Sequence, residues 1–482
     1  MLGILATVFC QVLGICTVDA AEKPNILYIL CDDLGYGDVK CLGGERSKIA
    51  TPNLDRLAAG GMIFTEAHSS SSVCTPTRYG ILTGRYSWRC LKAGVLSGYS
   101  PPLIDKNRLT VPALLKQHGY ETACIGKWHL GMTIDPSKPN APVADGPTTR
   151  GFDSYFGINA SLDMPPYAFI DHDRFTEAPT AVKEWIRKGP AAPGFEAIDG
   201  LPTLTQKAVE FIGQRAKAEK PFFLYLPLTS PHTPILPTKE WQGKSGLNAY
   251  GDFVMETDWA VGEVLAALDK AGLADNTLVM FTSDNGCSPA ARTGELERKG
   301  HFASELRRDY KGTLWDGGHR VPFIVRWPDR IKAGGRTDQL TCLTDLMATC
   351  AEIVGAKLPD SAGEDSVSIL PVLLGTATGP VRETVVHHSL RGDFAIRQGH
   401  WKLALSAEPD GLTRGGVTDI PGQLYDMGKD VGERTNAYTQ HPEIVAQLTK
   451  LLEKYVADGR STPGPTQKND VPVFIEKKKA KK

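Results

Sequence analysis

The 482-residue sequence predicts an α/β fold: a large, mostly parallel sheet sandwiched by helices, followed by a smaller C-terminal α+β subdomain. Three observations carry this prediction. Continuous apolar runs of strand length recur at Asn25 to Cys31, Pro221 to Leu228 and Asn276 to Ser283, and such runs fill strands buried on both faces. Helical segments alternate with them, the pattern of parallel strands joined by crossovers. Beyond about residue 380 the texture changes to short hairpin-like strands and one amphipathic helix.

Each element has a local reason. Thr51-Pro52 supplies an N-cap and a first-turn proline, and Gly60-Gly61 ends that helix. Val111 to His118 reads as a short helix stopped at Gly119, and Glu121 to Ile125 as the strand after it. An amphipathic helix spans about Tyr250 to Ala271, between two of the buried strands. Val321 to Trp327 adds a strand and Thr344 to Val354 a helix. Phe394 to Leu405 forms a hairpin turning at Gly399, Gln423 to Tyr425 another strand, and Pro442 to Val456 a helix with apolar spacing at Ile444, Leu448, Leu451, Leu452 and Tyr455.

With 54 Lys+Arg against 55 Asp+Glu the net charge is −1, and 41% of residues are hydrophobic. Neither a basic nucleic-acid binder nor a disordered chain has that balance. The run Leu2 to Val18, followed by Asp19-Ala20-Ala21, has the layout of a secretory signal peptide over residues 1–20. It is shorter than the roughly 20 apolar residues of a membrane span, and no later stretch is long enough, so an exported protein without a membrane span in its mature chain is expected. The expected organisation is a catalytic α/β domain over 21–380, an α+β subdomain over 381–460 and a flexible tail over 461–482 that ends in a Lys-rich stretch. Eight of the ten cysteines follow the leader, too few for a disulfide scaffold though enough for one or two bridges.

Asp32-Asp33 directly follow the first buried strand, and Asp284-Asn285 follow the run ending at Ser283. Groups just past the carboxyl ends of strands line the ligand crevice of an open α/β sheet, so the two pairs can converge. Three carboxylates and one amide oxygen form a hard donor set suited to Ca²⁺ or Mg²⁺. The alternative is that both segments are simple turns, which Asp, Asn and Gly favour.

The segment Cys74-Thr75-Pro76-Thr77-Arg78, with Leu82-Thr83-Gly84-Arg85 after it, resembles the type I sulfatase family, whose C-x-P-x-R signature marks a cysteine converted to formylglycine. Further blocks follow in the family's order: D-D-L-G-Y-G-D from Asp32, G-K-W-H-L-G from Gly126, S-P-H-x-P from Ser230, S-D-N-G from Ser283, and K-G-T-L-W-D-G-G-H-R-V-P from Lys311. The resemblance implies an alkaline-phosphatase-like fold and one Ca²⁺ held by Asp32, Asp33, Asp284, Asn285 and the modified Cys74. It implies that the hydrated aldehyde attacks sulfur and that its second hydroxyl then expels sulfate, a route closed to an ordinary Ser or Cys. In that scheme His129 is the base for the elimination, Arg78 fixes the formylglycine, His232 protonates the leaving oxygen, and Lys127 and Lys311 grip the sulfate.

The organic part of the ester has weaker sequence signals. Asp163, His172, Asp173, Arg174 and His388 are candidate contacts, from a loop rich in Pro and aromatics and from the start of the smaller domain. Trp128 and Trp315 fit core packing better than sugar stacking. The expected activity is hydrolysis of a sulfate monoester, of a sulfated carbohydrate or an aryl sulfate, after maturation by a formylglycine-generating enzyme. Two rivals remain: a phosphodiesterase or phosphonate monoester hydrolase of the same superfamily, and a non-catalytic carbohydrate-binding relative.

Overall fold

The computed structural model describes residues 23–406 and 421–475. The leader region 1–20, the segment 407–420 and the last seven residues lie outside them.

Ten strands form one sheet in the order Gly335–Thr337, Met62–Phe64, Phe323–Arg326, Thr277–Ser283, Asn25–Cys31, Phe222–Pro227, Glu121–Lys127, Ser154–Ile158, Ile170–Asp171, Arg174–Phe175. The five from Thr277–Ser283 to Ser154–Ile158 are parallel. Every residue of the two central strands, Asn25–Cys31 and Phe222–Pro227, is buried. Alternate side chains serve opposite faces: Ile26, Tyr28 and Leu30 join one core with Tyr79, Leu115 and Met347, while Leu27, Ile29 and Cys31 join another with Leu57, Leu204 and Val261. Helices therefore cover both faces, as an apolar two-sided sheet requires.

The helices have identifiable starts. Thr110 Oγ1 accepts the Ala113 N–H at 3.3 Å to open Val111–Gln117, and Asn248 Oδ1 accepts from Tyr250 and Gly251 to open Ala249–Ala271, which ends at Gly272 in the left-handed region. The strand expected over Val321 to Trp327 is Phe323–Arg326, and it runs antiparallel to Thr277–Ser283.

The smaller unit is an antiparallel sheet, Thr384–His388, Phe394–Gln398, Trp401–Ala404, Gln423–Asp426, covered by the helix Pro442–Asp458. Its core joins Val386, Ile396, Leu403, Leu424, Leu448 and Leu452 to Tyr86 and Trp88 of the large unit, and a second cluster joins Leu314 and Trp315 to Ala395, Ala404, Tyr425 and Met427, so the two units share two apolar contacts. The stretch 461–475, expected to be flexible, is instead tied down. Arg85 donates to Asp470 (2.7 Å) and to the Lys468 carbonyl (2.7 Å), and Arg89 to Asn469 (2.9 Å). Both arginines are fully buried, and the tail supplies acceptors that buried guanidinium groups need. The one or two disulfides that the cysteine count allowed do not form: all eight described cysteines are free thiols.

Candidate active site

The chemistry-bearing residues meet at the carboxyl edge of the parallel strands. Cys31 pairs with Ser283 in register, so the next residues, Asp32 and Asp284, emerge side by side. The Asp284 N–H donates to the Cys31 carbonyl at 3.0 Å, and the Asp33 N–H reaches Asp284 Oδ1 at 3.3 Å. The Asp32 N–H donates to the Ser230 carbonyl at 2.9 Å, which brings the His232 segment alongside. Lys127 ends the next parallel strand, and its Nζ donates to Asp32 Oδ2 at 2.5 Å. The two acidic pairs thus share one site, 252 residues apart in sequence.

Cys74 is the buried first residue of the helix Cys74–Thr83. Arg78, one turn on, donates to Asp284 Oδ2 through Nε (3.1 Å) and Nη2 (2.7 Å) and to the Lys127 carbonyl through Nη1 (3.0 Å). Lys311 Nζ lies 2.6 Å from Asp33 Oδ1, and His232 Nε2 lies 3.6 Å from Asp33 Oδ2. Asp33 and His129 both hold positive φ (65° and 53°), a strained state that needs support from surrounding packing.

Burial alone would raise the Asp32 carboxyl, but Lys127, His232, Arg78 and Lys311 together hold it well below the usual carboxylate range. Asp284 goes the other way: burial and the Asp32 charge push it up to about 7 against the pull of Arg78. Two adjacent buried carboxylates resist full ionisation, and a cation between them would relieve that conflict. Burial also pushes the Cys74 thiol up, despite Lys127 and Lys311, so as a thiol it would be a poor nucleophile.

Two oxygens in this crowded site have no hydrogen-bond partner among the described residues: Asp32 Oδ1 and Asn285 Oδ1, both fully buried. Buried acceptors are rarely left so. With Asp33 beside them they form an oxygen-only donor set that fits a hard divalent cation, and Asp32, Asp33 and His232 place ligand atoms within 4.8 Å of one another.

His129 is held by one ring nitrogen and leaves the other unengaged. Its Nε2–H donates to the Leu96 carbonyl at 2.7 Å, so Nδ1 carries the lone pair, and that buried nitrogen has no partner among the described residues. Burial, reinforced by Lys127, keeps the ring neutral, well below the usual histidine value. His232 Nδ1–H donates to the Thr233 carbonyl at 2.6 Å, so Nε2 is the nitrogen that faces Asp33 Oδ2; burial lowers this ring's value while Asp32 and Asp33 raise it.

The outlying candidates divide. Asp163 is buried in the loop after strand Ser154–Ile158 and pairs with Arg187 at 2.8 Å. His172 and Asp173 form the exposed tip of the hairpin that continues into Arg174, and the His172 N–H bonds back to the Tyr155 carbonyl. That tip points away from the carboxyl edge, so the structure does not bring His172, Asp173 or Arg174 to the cluster. His388 is close: its carbonyl accepts the Ser72 N–H at 3.1 Å and the Ser71 hydroxyl at 2.8 Å. Trp128 and Trp315 are core residues. Lys92, on a cavity wall beside His388, was missed; it lies in a loop with no periodicity to mark it.

A family model described as Sulfatase matches residues 24–356, and one described as N-sulphoglucosamine sulphohydrolase, C-terminal, matches 308–458. The chain is 33% identical to an N-acetylgalactosamine-6-O-sulfatase of Bacteroides thetaiotaomicron, over 90% of this chain and 93% of that one. It is 34% identical to arylsulfatase A of Homo sapiens, over 93% and 90% respectively. A solved structure from work on metabolism of multiple glycosaminoglycans by Bacteroides thetaiotaomicron superposes with a TM-score of 0.81 at 32% identity, covering 90% of this chain and 99% of that chain.

Proposed function

Since the chain belongs to the sulfatase family and is a sulfuric ester hydrolase, we propose that it cleaves sulfate monoesters of carbohydrate, using a Cys74-derived formylglycine beside a bound Ca²⁺. The overall reaction is R–O–SO₃⁻ plus water to R–OH plus hydrogen sulfate. The convergence of Asp32, Asp33, Asp284 and Asn285 around buried Cys74, with two oxygens of the set unpartnered, carries this reading.

Asp32, Asp33, Asp284 and Asn285 would hold the cation, which supplies positive charge against the sulfuryl oxygens. The aldehyde hydrate at position 74 supplies an oxygen nucleophile and a second hydroxyl. Lys127 and Lys311 present two ammonium groups where the transferred sulfuryl group gathers negative charge, and their pairing with Asp32 and Asp33 fixes both before substrate arrives. Arg78 locks Asp284 and the Lys127 carbonyl in place, which orients the helix start that carries residue 74. His129 Nδ1 takes a proton, and His232 Nε2 gives one to the departing alkoxide.

The carbohydrate preference is supported by the N-acetylgalactosamine-6-O-sulfatase relative, and export by the layout of residues 1–20. Among the described residues no helix is long and apolar enough to cross a membrane. The test has three parts. Turnover of 4-nitrophenyl sulfate should exceed that of the matching phosphate diester, and faster diester cleavage reverses the assignment. The peptide containing Cys74, from protein made with a formylglycine-generating enzyme, should be lighter by about 18 Da, the exchange of SH and H for a carbonyl oxygen. Defined sulfated saccharides should be desulfated; a protein that bound them without turnover would be the non-catalytic relative instead.

A further inference from the structure

A cavity of about 620 Å³ opens where the two units meet, lined by Trp88, Lys92, His388, Arg391, Phe394 and Phe474 among others. Its size falls within the usual range for small-molecule sites. Hydrogen bonds tie two of its walls to the catalytic cluster. Lys92 and Ala93 precede Gly94, whose N–H donates to the Leu390 carbonyl (2.9 Å). Leu96 bonds Thr75 Oγ1 through its N–H (3.2 Å) and His129 through its carbonyl. Arg391 follows Leu390, whose N–H donates to the Gly312 carbonyl (3.2 Å), next to Lys311. The same two chain segments thus border both the cavity and the cluster around Cys74.

The wall has the wrong chemistry for an idle surface. Lys92 and Arg391 are exposed, and no carboxylate of the described residues lies within 4.0 Å of either. Phe474 is 74% exposed, and a large aromatic left in water beside two cations that have no carboxylate partner among the described residues is the composition of a site for an anionic ligand with an apolar face. The chain's own basic end, Lys477 to Lys482, is an unsuitable occupant, because it would add like charge to Lys92 and Arg391.

We propose that this cavity is the subsite for the organic part of the substrate and that it selects a sugar carrying a second negative charge, a further sulfate or a carboxylate, which Lys92 and Arg391 bind while Phe474 covers a face of the ring. The inference rests on the hydrolase reading above and deepens it. Lys92 and Arg391 are positioning residues for the scissile ester.

The experiment compares kcat/KM for a monosulfated saccharide with that for its disulfated or uronate-bearing counterpart, in the full-length matured enzyme. The wild type should prefer the doubly charged saccharide, and the preference should fall with added salt. Lys92→Ala and Arg391→Ala should each cut it roughly fivefold, and Lys92→Glu more, chiefly through KM. Phe474→Ala should raise KM for both saccharides. A wild type that prefers the singly charged saccharide, or variants that leave the preference intact, overturns the proposal. So does a chain ending at residue 475 that binds either saccharide more tightly, since the basic end would then be the occupant. Absence of turnover of any sulfate ester, 4-nitrophenyl sulfate included, would instead strike the hydrolase reading.

Discussion

The imidazole rings of His319 and His387 lie face to face, with centroids 3.5 Å apart and planes 11° from parallel. One comes from the large unit and the other from the first strand of the small sheet, so the stack fastens the two together. His68 adds a third buried ring, its Nδ1 3.1 Å from His319 Nδ1. Around them stand Lys402, Arg320 and Arg397 on one side of the charge balance, and Asp316, Glu66 and Glu433 on the other.

This stack should make the junction sensitive to acid. Burial, then Lys402, pushes His387 down to about 3 from its usual 6.5. The folded value lies below the unfolded one, so the unfolded chain binds the proton first. Stability present above pH 6.5 is then lost as pH falls toward 3, by about 2 kcal/mol at pH 5 from this ring alone. Glu433, raised to about 7 chiefly by burial, titrates in the opposite sense, so the clean measurement is a difference. The stability gap between wild type and His387→Gln, from urea unfolding, should shrink by that amount between pH 7.5 and pH 5. A gap independent of pH would show that the ring does not resist protonation.

Metal removal should weaken the fold as well as the activity. Asp32 Oδ1 and Asn285 Oδ1 have no other partner among the described residues, and Asp284 and Asp32 repel each other. Returning Ca²⁺ at about 100 times its Kd to chelator-treated protein adds about 2.7 kcal/mol, read as a rise of roughly 2–4 °C in thermal midpoint. Mg²⁺ should do less, since it holds its water more tightly and suits a smaller octahedral site. Asn285→Ala should shrink the rise.

Much of this site was legible in sequence because parallel strands impose it. Two acidic pairs that each follow a buried run must emerge at the same edge, and the Cys31 to Ser283 register makes them neighbours. Strand Ser154–Ile158 was not legible, since its Gly157 reads as a breaker and its partners set its conformation. The helix Gly200–Arg215 was hidden by the Gly200 and Pro202 at its start. The ordered tail was beyond reach for another reason. Its partners Arg85 and Arg89 lie about 380 residues away, and nothing local records such a contact.

Those arginines predict what truncation does. Removing residues 463–482 takes Asp470, Asn469 and the Lys468 carbonyl from Arg85 and Arg89, leaving Glu364 and Asp365 as their remaining acidic partners. Stripping partners from a buried charge costs about 3 kcal/mol, so the thermal midpoint should drop by several degrees. Asp470→Ala should cost much less, because its carboxylate is half exposed and screened by water. Equal stability of truncated and full-length protein would mean that water replaces the tail.

Two glycines make the sharpest contrast. A Cβ on Gly157 would lie 1.8 Å from the Gly126 carbonyl oxygen on the neighbouring strand, the strand that ends in Lys127. Gly157→Ala must therefore push the two strands apart, at a cost of about 2–4 kcal/mol, and should lower kcat as Lys127 moves off its position beside Asp32. Gly213, in the helix Gly200–Arg215, meets nothing within 4 Å. Gly213→Ala should stabilise by about 0.5–1 kcal/mol through helix propensity alone, with kcat unchanged. Denaturant midpoints for the two variants should thus move in opposite directions, and a stable, fully active Gly157→Ala would contradict the close strand approach that positions Lys127.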